Sequence, residues 1–276
     1  MSKFDLFKFG NYKETPISFE VDVLDKITGG GLRDRSLNYL FSNTGSGKTL
    51  FLCHVAASAM RQNKNVLFIT SELPQERIYE RIQANLLNDT ILNLYDKEKS
   101  FYDSLNLQTL KTLGNLTVID DYDNYSSFAA FMSNYEDDIE HNICVEPDII
   151  LIDSTSNRDN DNVALQYHKT CVDHKIPILV SANSNRVTPI IGGVAALMSF
   201  GIEITDKTTS SYTVTQVKNR YTYPDKNRRF TIGVDCAKMR LYDCEQTAQD
   251  NILDSGQEEE YNYEDKPKKS FDGFKF

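Results

Sequence analysis

Short apolar runs alternate with amphipathic stretches over the first two thirds of this 276-residue chain. Apolar runs rich in β-branched residues predict buried strands, and the stretches between them have the period of helices. Strands are predicted at 37–41, 66–70, 116–120, 148–153 and 176–183, and helices at 48–62, 74–87, 126–139 and 162–173. This alternation predicts an α/β fold with a mainly parallel sheet flanked by helices.

The pattern changes after residue 200. Four short segments rich in β-branched and aromatic residues, at 201–205, 212–217, 229–234 and 239–242, predict strands that extend the sheet in antiparallel fashion. From residue 245 the chain has no periodicity, and nine acidic residues stand against four lysines, which predicts a disordered tail. We therefore expect a short arm at 1–15, one domain at 16–244 and an acidic tail at 245–276.

A glycine-containing segment joins the first predicted strand to the first predicted helix. It consists of Ser42, Asn43, Thr44, Gly45, Ser46, Gly47, Lys48 and Thr49. Glycines let the backbone N–H groups face phosphate oxygens, the lysine neutralises the β- and γ-phosphates, and the threonine hydroxyl reaches Mg²⁺. The segment predicts a nucleoside triphosphate site, although Ser42 stands where the usual motif has glycine. A serine- and glycine-rich turn without a ligand is the alternative.

Two carboxylates are candidates for the hydrolytic chemistry. Asp153 ends an apolar strand, as a Walker B aspartate does, and is predicted to hold Mg²⁺ across from Thr49. The next residue is Ser154, so the group that activates water must come from elsewhere. Glu72 follows the strand at 66–70, at the edge where ligands bind in open α/β sheets, and is predicted to be the catalytic base. The alternative is that Glu72 caps the helix that follows.

Polar residues near the ends of two later strands complete the candidate site. Asn183 ends the strand at 176–183, where it is placed to sense a γ-phosphate. Lys218 and Arg220 leave the strand at 212–217 on one face, because alternate strand residues point the same way. We predict that they reach the triphosphate bound by a neighbouring subunit. A basic edge strand that discourages aggregation is the alternative.

Composition and charge narrow the function classes. The chain has no apolar stretch long enough to span a bilayer and no apolar core of a signal peptide at its start, so we expect a cytoplasmic protein without a membrane partner. Its five cysteines have no zinc spacing and are expected to be reduced thiols. The net charge of −10 means that nucleic-acid binding would depend on a local patch or on assembly.

The segments 27–32, 42–49, 67–74, 81–87 and 217–221 together resemble the RecA-like motor domain of DnaB-type hexameric replicative helicases, with the T-even phage branch closest. The resemblance covers roughly residues 16–243. It implies a RecA-like P-loop core, a ring of six subunits with ATP and Mg²⁺ at each interface, and translocation on single-stranded DNA during replication, in the host cytoplasm if a phage encodes the chain.

The same resemblance implies a role for each candidate residue. The phosphate would be bound by Lys48 and the magnesium by Thr49 and Asp153, Glu72 would be the base, and Lys218 and Arg220 would act on the neighbour's nucleotide. Asn183 stands where the family usually has glutamine.

Three departures limit the resemblance. Only about 15 residues precede the domain, and the segments expected to contact DNA, 154–161 and 185–193, offer only Arg158 and Arg186 as cations. The segment 192–198 also resembles RecA-type recombinases. The alternatives to a helicase are therefore a filament-forming recombinase or strand-annealing ATPase, and a nucleotide-gated regulatory or loader ATPase. In each case the acidic tail is a candidate docking segment for replication proteins.

Overall fold

The computed structural model describes residues 15–96, 112–121, 124–153, 161–184, 194–222 and 228–245. These residues contain one nine-stranded sheet with helices on both faces. The strands are β1 Leu37–Ser42, β2 Val66–Thr70, β3 Leu116–Ile119, β4 Ile149–Asp153, β5 Ile178–Asn183, β6 Phe200–Lys207, β7 Ser211–Asn219, β8 Arg229–Asp235 and β9 Arg240–Asp243. The helices are α1 Asp22–Thr28, α2 Lys48–Arg61, α3 Gln75–Leu87, α4 Ile91–Asp96, α5 Phe128–Glu140, α6 Asp161–His174 and α7 Val194–Leu197.

The sheet has the strand order β3-β2-β4-β5-β1-β6-β7-β8-β9. The first six strands in this order are parallel, which confirms the predicted architecture. The last three pairings are antiparallel. The expectation that every strand after residue 200 is antiparallel was wrong for β6, which pairs in parallel with β1. The antiparallel extension starts one strand later, at the hairpin between β6 and β7.

The core lies in two layers, one on each side of the sheet. One layer packs α1, α2 and α3 against the sheet, and the other packs α5 and α6. All six residues of β1 are buried, because this strand lies in the middle of the sheet and is covered on both faces. Burial on both faces explains why the parallel strands read as continuous apolar runs instead of alternating ones.

Helix α1 was not predicted from the sequence. Its N-cap residue, Val21, provides no side-chain hydrogen bond, so the usual start signal is missing. The turn before it is instead held by Asp25, whose carboxylate accepts hydrogen bonds from the Ser18 hydroxyl (2.5 Å) and the Phe19 N–H (2.8 Å). The helix ends at Gly29, which has a left-handed φ of 69°. The start of α1 is thus stabilised by Asp25, a residue inside the helix, and this explains why the sequence pattern did not predict α1.

Several predictions fall on other parts of the chain. The arm except Thr15, nearly all of the acidic tail, and most of both candidate DNA-contacting segments, with Arg158 and Arg186, lie outside the described residues. The division of the chain into arm, domain and tail therefore stays a prediction. Within the described residues, no helix has the length and apolar character that crossing a membrane requires.

His54 lies at the centre of a buried polar network in the α2 layer and is 1% exposed. Its Nε2 is 2.9 Å from the Phe19 carbonyl, and its Nδ1 is 3.2 Å from both the Leu241 N–H and the Asn85 amide nitrogen. Both neighbours of Nδ1 are donors, so the ring is neutral with its proton on Nε2. Burial lowers the pKa of His54 to about 4.

We predict that this histidine makes folding sensitive to acid. The unfolded chain binds a proton at His54 near pH 6.5 and the folded chain near pH 4, so stability is lost as the pH falls through that window. The wild-type protein should lose about 3 kcal/mol more unfolding free energy between pH 7 and pH 4 than His54→Gln, measured by urea denaturation. His141→Gln, at an exposed site, is the matched control. Parallel pH profiles for wild type and His54→Gln would contradict the prediction.

Candidate functional site

The phosphate-loop segment lies between the end of β1 and the start of α2, as predicted. Gly45 and Gly47 have positive φ angles of 76° and 102°, a conformation that residues with a Cβ rarely adopt. The Ser46 N–H donates to the Asn43 carbonyl at 3.3 Å, and the Ser46 hydroxyl bonds to that of Ser42. Ser42, which stands where the usual motif has glycine, is buried, and its hydroxyl stabilises the loop through the bond to Ser46.

Asp153 is fully buried at the end of β4, where it joins two other elements. One carboxylate oxygen accepts a hydrogen bond from the Thr49 hydroxyl on α2 (2.6 Å), and the other accepts one from the Ser181 hydroxyl on β5 (2.7 Å). Burial raises the pKa of Asp153, while these hydrogen bonds and Lys48 act in the opposite direction. The structure thus brings the two predicted metal residues, Thr49 and Asp153, into contact.

The oxygen atoms at this point suit Mg²⁺. In nucleotide sites this ion is usually held by a hydroxyl, one or two carboxylates and phosphate oxygens, without a dedicated protein cage. Thr49 and Asp153 offer one hydroxyl and one carboxylate side by side. The described residues contain no cluster of three or more His, Cys, Asp or Glu side chains that could hold a metal alone. Thr49 and Asp153 therefore fit a magnesium ion that arrives with a phosphate ligand.

Lys48 and Asn183 are also brought together. The Lys48 ammonium donates to the Asn183 side-chain oxygen at 3.0 Å and to the Asn43 carbonyl at 3.3 Å. Burial lowers the pKa of Lys48, and the negative charges of Glu72 and Asp153 oppose this shift. Lys48 is therefore surrounded by acceptors that a phosphate oxygen can replace. Asn183, at the end of β5, therefore contacts the lysine of the phosphate loop, and its predicted role as a γ-phosphate sensor stays a prediction.

Glu72 lies just beyond the end of β2 and is exposed. The Thr70 hydroxyl accepts hydrogen bonds from the N–H groups of Glu72 (3.2 Å) and Leu73 (3.3 Å), which fixes the turn. The first N–H of α3, at Gln75, donates to the Asp120 carboxylate at 2.9 Å. This N–H of α3 is thus bonded to Asp120, and the negative charge of Glu72 acts to raise the pKa of Lys48.

A cavity of about 300 Å³ opens between these groups. Besides predicted residues of the phosphate loop and Glu72, it is lined by Leu50, Arg81, Lys207, Tyr212, Cys236 and Met239. Most of these additional residues have no signal in the sequence, because they come from β6, β7 and the turn between β8 and β9, whose approach to the loop depends on sheet order. Arg81 is an exception, because it lies on α3, the helix that follows Glu72, and its position on that predicted helix is a signal in the sequence.

Lys218 and Arg220 do not reach this cavity. The Lys218 ammonium bonds to the Ala195 carbonyl, and the Arg220 guanidinium donates to the Ala196 carbonyl at 2.7 Å, so both contact α7. Burial lowers the pKa of Lys218, and Arg220 adds to the shift. The two cations share one side of the chain, as predicted, but they lie at the end of β7 away from the phosphate loop.

A larger cavity, of about 430 Å³, lies at the opposite edge of the sheet. Its charged groups include Lys64, which pairs with Asp148 at 3.3 Å, and His174, which lies 3.1 Å from Glu136. These groups already have partners, and ligands of parallel α/β sheets bind at the other edge. The smaller cavity is therefore the candidate site.

Comparison with known proteins agrees with this geometry. Residues 17–164, more than half of the chain, match the family described as "ATPase: KaiC". A DnaB-like replicative helicase of Enterobacteria phage T4 is 35% identical over 89 residues, which cover 32% of this chain and 19% of the relative. The DNA repair protein RadA of Campylobacter jejuni is 29% identical over 109 residues, which cover 36% of this chain and 24% of the relative. The chain thus spans about a fifth to a quarter of these curated relatives.

Solved structures share the fold at low sequence identity. The structure of a DnaB-like replicative helicase, described with its interactions with primase, superposes with a TM-score of 0.64 at 11% identity. The match covers 86% of this chain and 66% of that one. Together, the phosphate loop, the Thr49–Asp153 contact and the matched family model identify the chain as a member of the KaiC family of ATPases, with a RecA-like fold that it shares with the structure of the DnaB-like helicase.

Proposed function

We propose that this ATPase is a helicase-type motor that moves on single-stranded DNA during replication, in a hexameric ring that hydrolyses ATP at its subunit interfaces. The observation that carries the proposal is that Lys218 and Arg220, at the end of β7, lie far from the phosphate loop of their own subunit. The first half of β7 contacts the phosphate loop through Tyr212, whereas Lys218 and Arg220 lie at its far end. The sequence match to the phage T4 helicase supports the motor class.

Within one subunit, the described residues supply the nucleotide-binding half of the reaction. Lys48 and the loop N–H groups bind the β- and γ-phosphates, and Thr49 and Asp153 hold Mg²⁺, which neutralises charge on the phosphates when bound. Glu72 takes the proton of the attacking water, since it lies at the carboxyl end of β2 beside the cavity. Asn183, bonded to Lys48, registers whether the γ-phosphate is present.

The other half of the reaction is assigned to a neighbouring subunit. Six residues of extended chain separate Tyr212 from Lys218, which is about 20 Å at the rise of a β-strand. No side-chain rotation of Lys218 or Arg220 spans that distance. This distance supports assigning the two cations to a triphosphate in another copy of the chain, where they would stabilise the charge that develops during phosphoryl transfer.

We predict that Glu72→Gln separates binding from hydrolysis. The amide keeps the size of the side chain but cannot accept a proton, so the turnover number should fall by about a hundredfold or more. The affinity for ATP should change by less than about threefold, because Lys48 and Thr49 are untouched. Equilibrium binding and phosphate release measure the two quantities. Glu76→Gln, at an exposed position in the first turn of α3, is the matched control and should keep full activity. Full turnover in Glu72→Gln would contradict its role as the base.

We predict that two inactive variants restore activity when they are mixed. Arg220→Ala lacks the trans cation and Glu72→Gln lacks the cis base, so each alone should form inactive interfaces. In equal mixtures, about a quarter of randomly formed interfaces combine an intact Glu72 with an intact Arg220 from the neighbour. The ATPase activity of the mixture should therefore reach about a quarter of the wild-type activity.

The mixing experiment has a matched control and a clear opposite result. Arg229→Ala removes an exposed cation at the start of β8 and should remain active alone. If Arg220 acts on its own subunit's nucleotide, or is only a basic edge residue, then mixing will recover nothing or Arg220→Ala will be active by itself.

A second candidate function is strand exchange or annealing by a filament, which the match to RadA favours. A forked duplex with ATP separates the two. Strand displacement with a fixed polarity, lost in Glu72→Gln, supports the helicase-type motor. Formation of a displacement loop without unwinding supports the recombinase, and stimulation of neither supports a regulatory or loader ATPase.

A further inference from the structure

Tyr212 is a buried residue whose hydroxyl makes no hydrogen bond within the described part of the chain. Its side chain is fully buried and burial raises its pKa, yet its hydroxyl has no hydrogen-bond partner among the described residues. A buried hydroxyl without a partner destabilises the folded state, so such groups are rare unless a ligand or water completes them. Four buried side-chain atoms in the described part of the chain are of this kind, and that of Tyr212 alone lines the candidate cavity.

The hydroxyl lies against the phosphate loop. A Cβ added to Gly47 would overlap the Tyr212 oxygen, so the tyrosine touches the loop one residue before Lys48. The Lys207 ammonium lies 6.0 Å from the centre of the Tyr212 ring and donates to the Gly45 carbonyl at 3.4 Å. Tyr212 therefore forms part of the wall that continues from the phosphate site.

The lining of the cavity divides by chemistry. Lys48, Thr49, Glu72 and Arg81 are polar or charged and suit phosphates. Lys207, whose ammonium donates to the Gly45 carbonyl, adds a further cation on the side of the phosphate loop. The other side chains of the wall, Leu50, Tyr212, Cys236 and Met239, are apolar or weakly polar. A nucleotide has the same division, with an anionic phosphate chain at one end and a flat, weakly polar nucleoside at the other.

The turn that carries two of these residues is held in a strained conformation. Met239 has a φ of 53°, which is unfavourable for a residue with a side chain. The Asn85 amide donates to the Met239 carbonyl at 2.5 Å, and Asn85 also contacts the buried His54. At the other side of the turn, the Asp235 carboxylate accepts from the N–H of Ala237 at 3.0 Å. Strain that the surroundings hold in place in this way is characteristic of binding sites.

We propose that Tyr212, Cys236 and Met239 form the binding surface for the nucleoside half of the nucleotide, with the Tyr212 hydroxyl donating a hydrogen bond to an oxygen of the sugar. Met239 and the thiol of Cys236 contact the base, and Asn85 is a positioning residue that acts through the Met239 carbonyl. The inference rests on the proposed nucleotide site and adds the residues that recognise its sugar and base.

The test compares ATP with inorganic tripolyphosphate, which has the phosphate chain and no nucleoside. Tyr212→Phe should weaken ATP binding about three- to tenfold, the value of one neutral hydrogen bond, and leave tripolyphosphate binding unchanged. Lys48→Ala should weaken both ligands. Tyr242→Phe, on strand β9, which lies two strands from β7 in the sheet, is the matched control and should weaken neither. Isothermal titration gives the affinities, and thermal unfolding without ligand should show Tyr212→Phe to be at least as stable as the wild type, because the variant removes an unpartnered buried hydroxyl.

Thiol labelling gives a second measurement on the wild-type chain. Cys236 is exposed, so maleimide should label it, and ATP should protect it while tripolyphosphate does not. Labelling of Cys144, which precedes β4 near the opposite edge of the sheet, is the internal control. Three results would overturn this inference without overturning the nucleotide site. Tyr212→Phe could lose affinity for ATP and tripolyphosphate equally, it could lose affinity for neither, or ATP could leave the labelling of Cys236 unchanged. A wild-type chain that binds neither ligand would overturn the nucleotide site as well.

Discussion

Asp153 makes the contact on which the arrangement of the site depends. Its carboxylate is buried at the end of β4 and accepts hydrogen bonds from Thr49 and Ser181, so it ties the first turn of α2 to the two central strands β4 and β5. A buried carboxylate is costly unless such partners satisfy it. The contact places the threonine hydroxyl, the aspartate and the phosphate loop at one edge of the sheet. Every other residue of the candidate site is positioned relative to that edge.

Strand β7 connects this edge to the opposite one. Tyr212, near its start, touches the phosphate loop, and Lys218, near its end, contacts a carbonyl of α7. Arg220 follows the strand directly, so Tyr212 and the two cations lie at opposite ends of one extended segment. Under the proposed function, this segment would link the nucleotide of one subunit to the cations that act on the nucleotide of the next.

The sequence was most informative where a residue's role depends on its own neighbours in the chain. The phosphate loop needs left-handed glycines, a cation and a hydroxyl at fixed spacing, and the structure has all of them between β1 and α2. Strand ends likewise placed Asp153, Glu72 and Asn183 at one edge, because parallel strands end together. The roles of these residues, and of Lys218 and Arg220, stay predictions.

The sequence was least informative where a role depends on sheet order. The pairing of β6 with β1, and therefore the approach of Tyr212 and Met239 to the loop, follows from long-range packing that local patterns do not encode. Helix α1 was not predicted for a related reason. The turn that precedes it is stabilised by Asp25 from inside the helix and not by a capping residue before the helix.

We propose that the described site is one half of an active site that a neighbouring copy completes. A cryo-electron microscopy structure of the full chain with a non-hydrolysable ATP analogue, Mg²⁺ and oligo-dT would test this proposal. We expect a closed ring in which Lys218 and Arg220 have left α7 and lie at the phosphates bound by Lys48 of the adjacent copy. A nucleotide-bound particle in which both cations remain on α7, with no second copy at the phosphates, would contradict it.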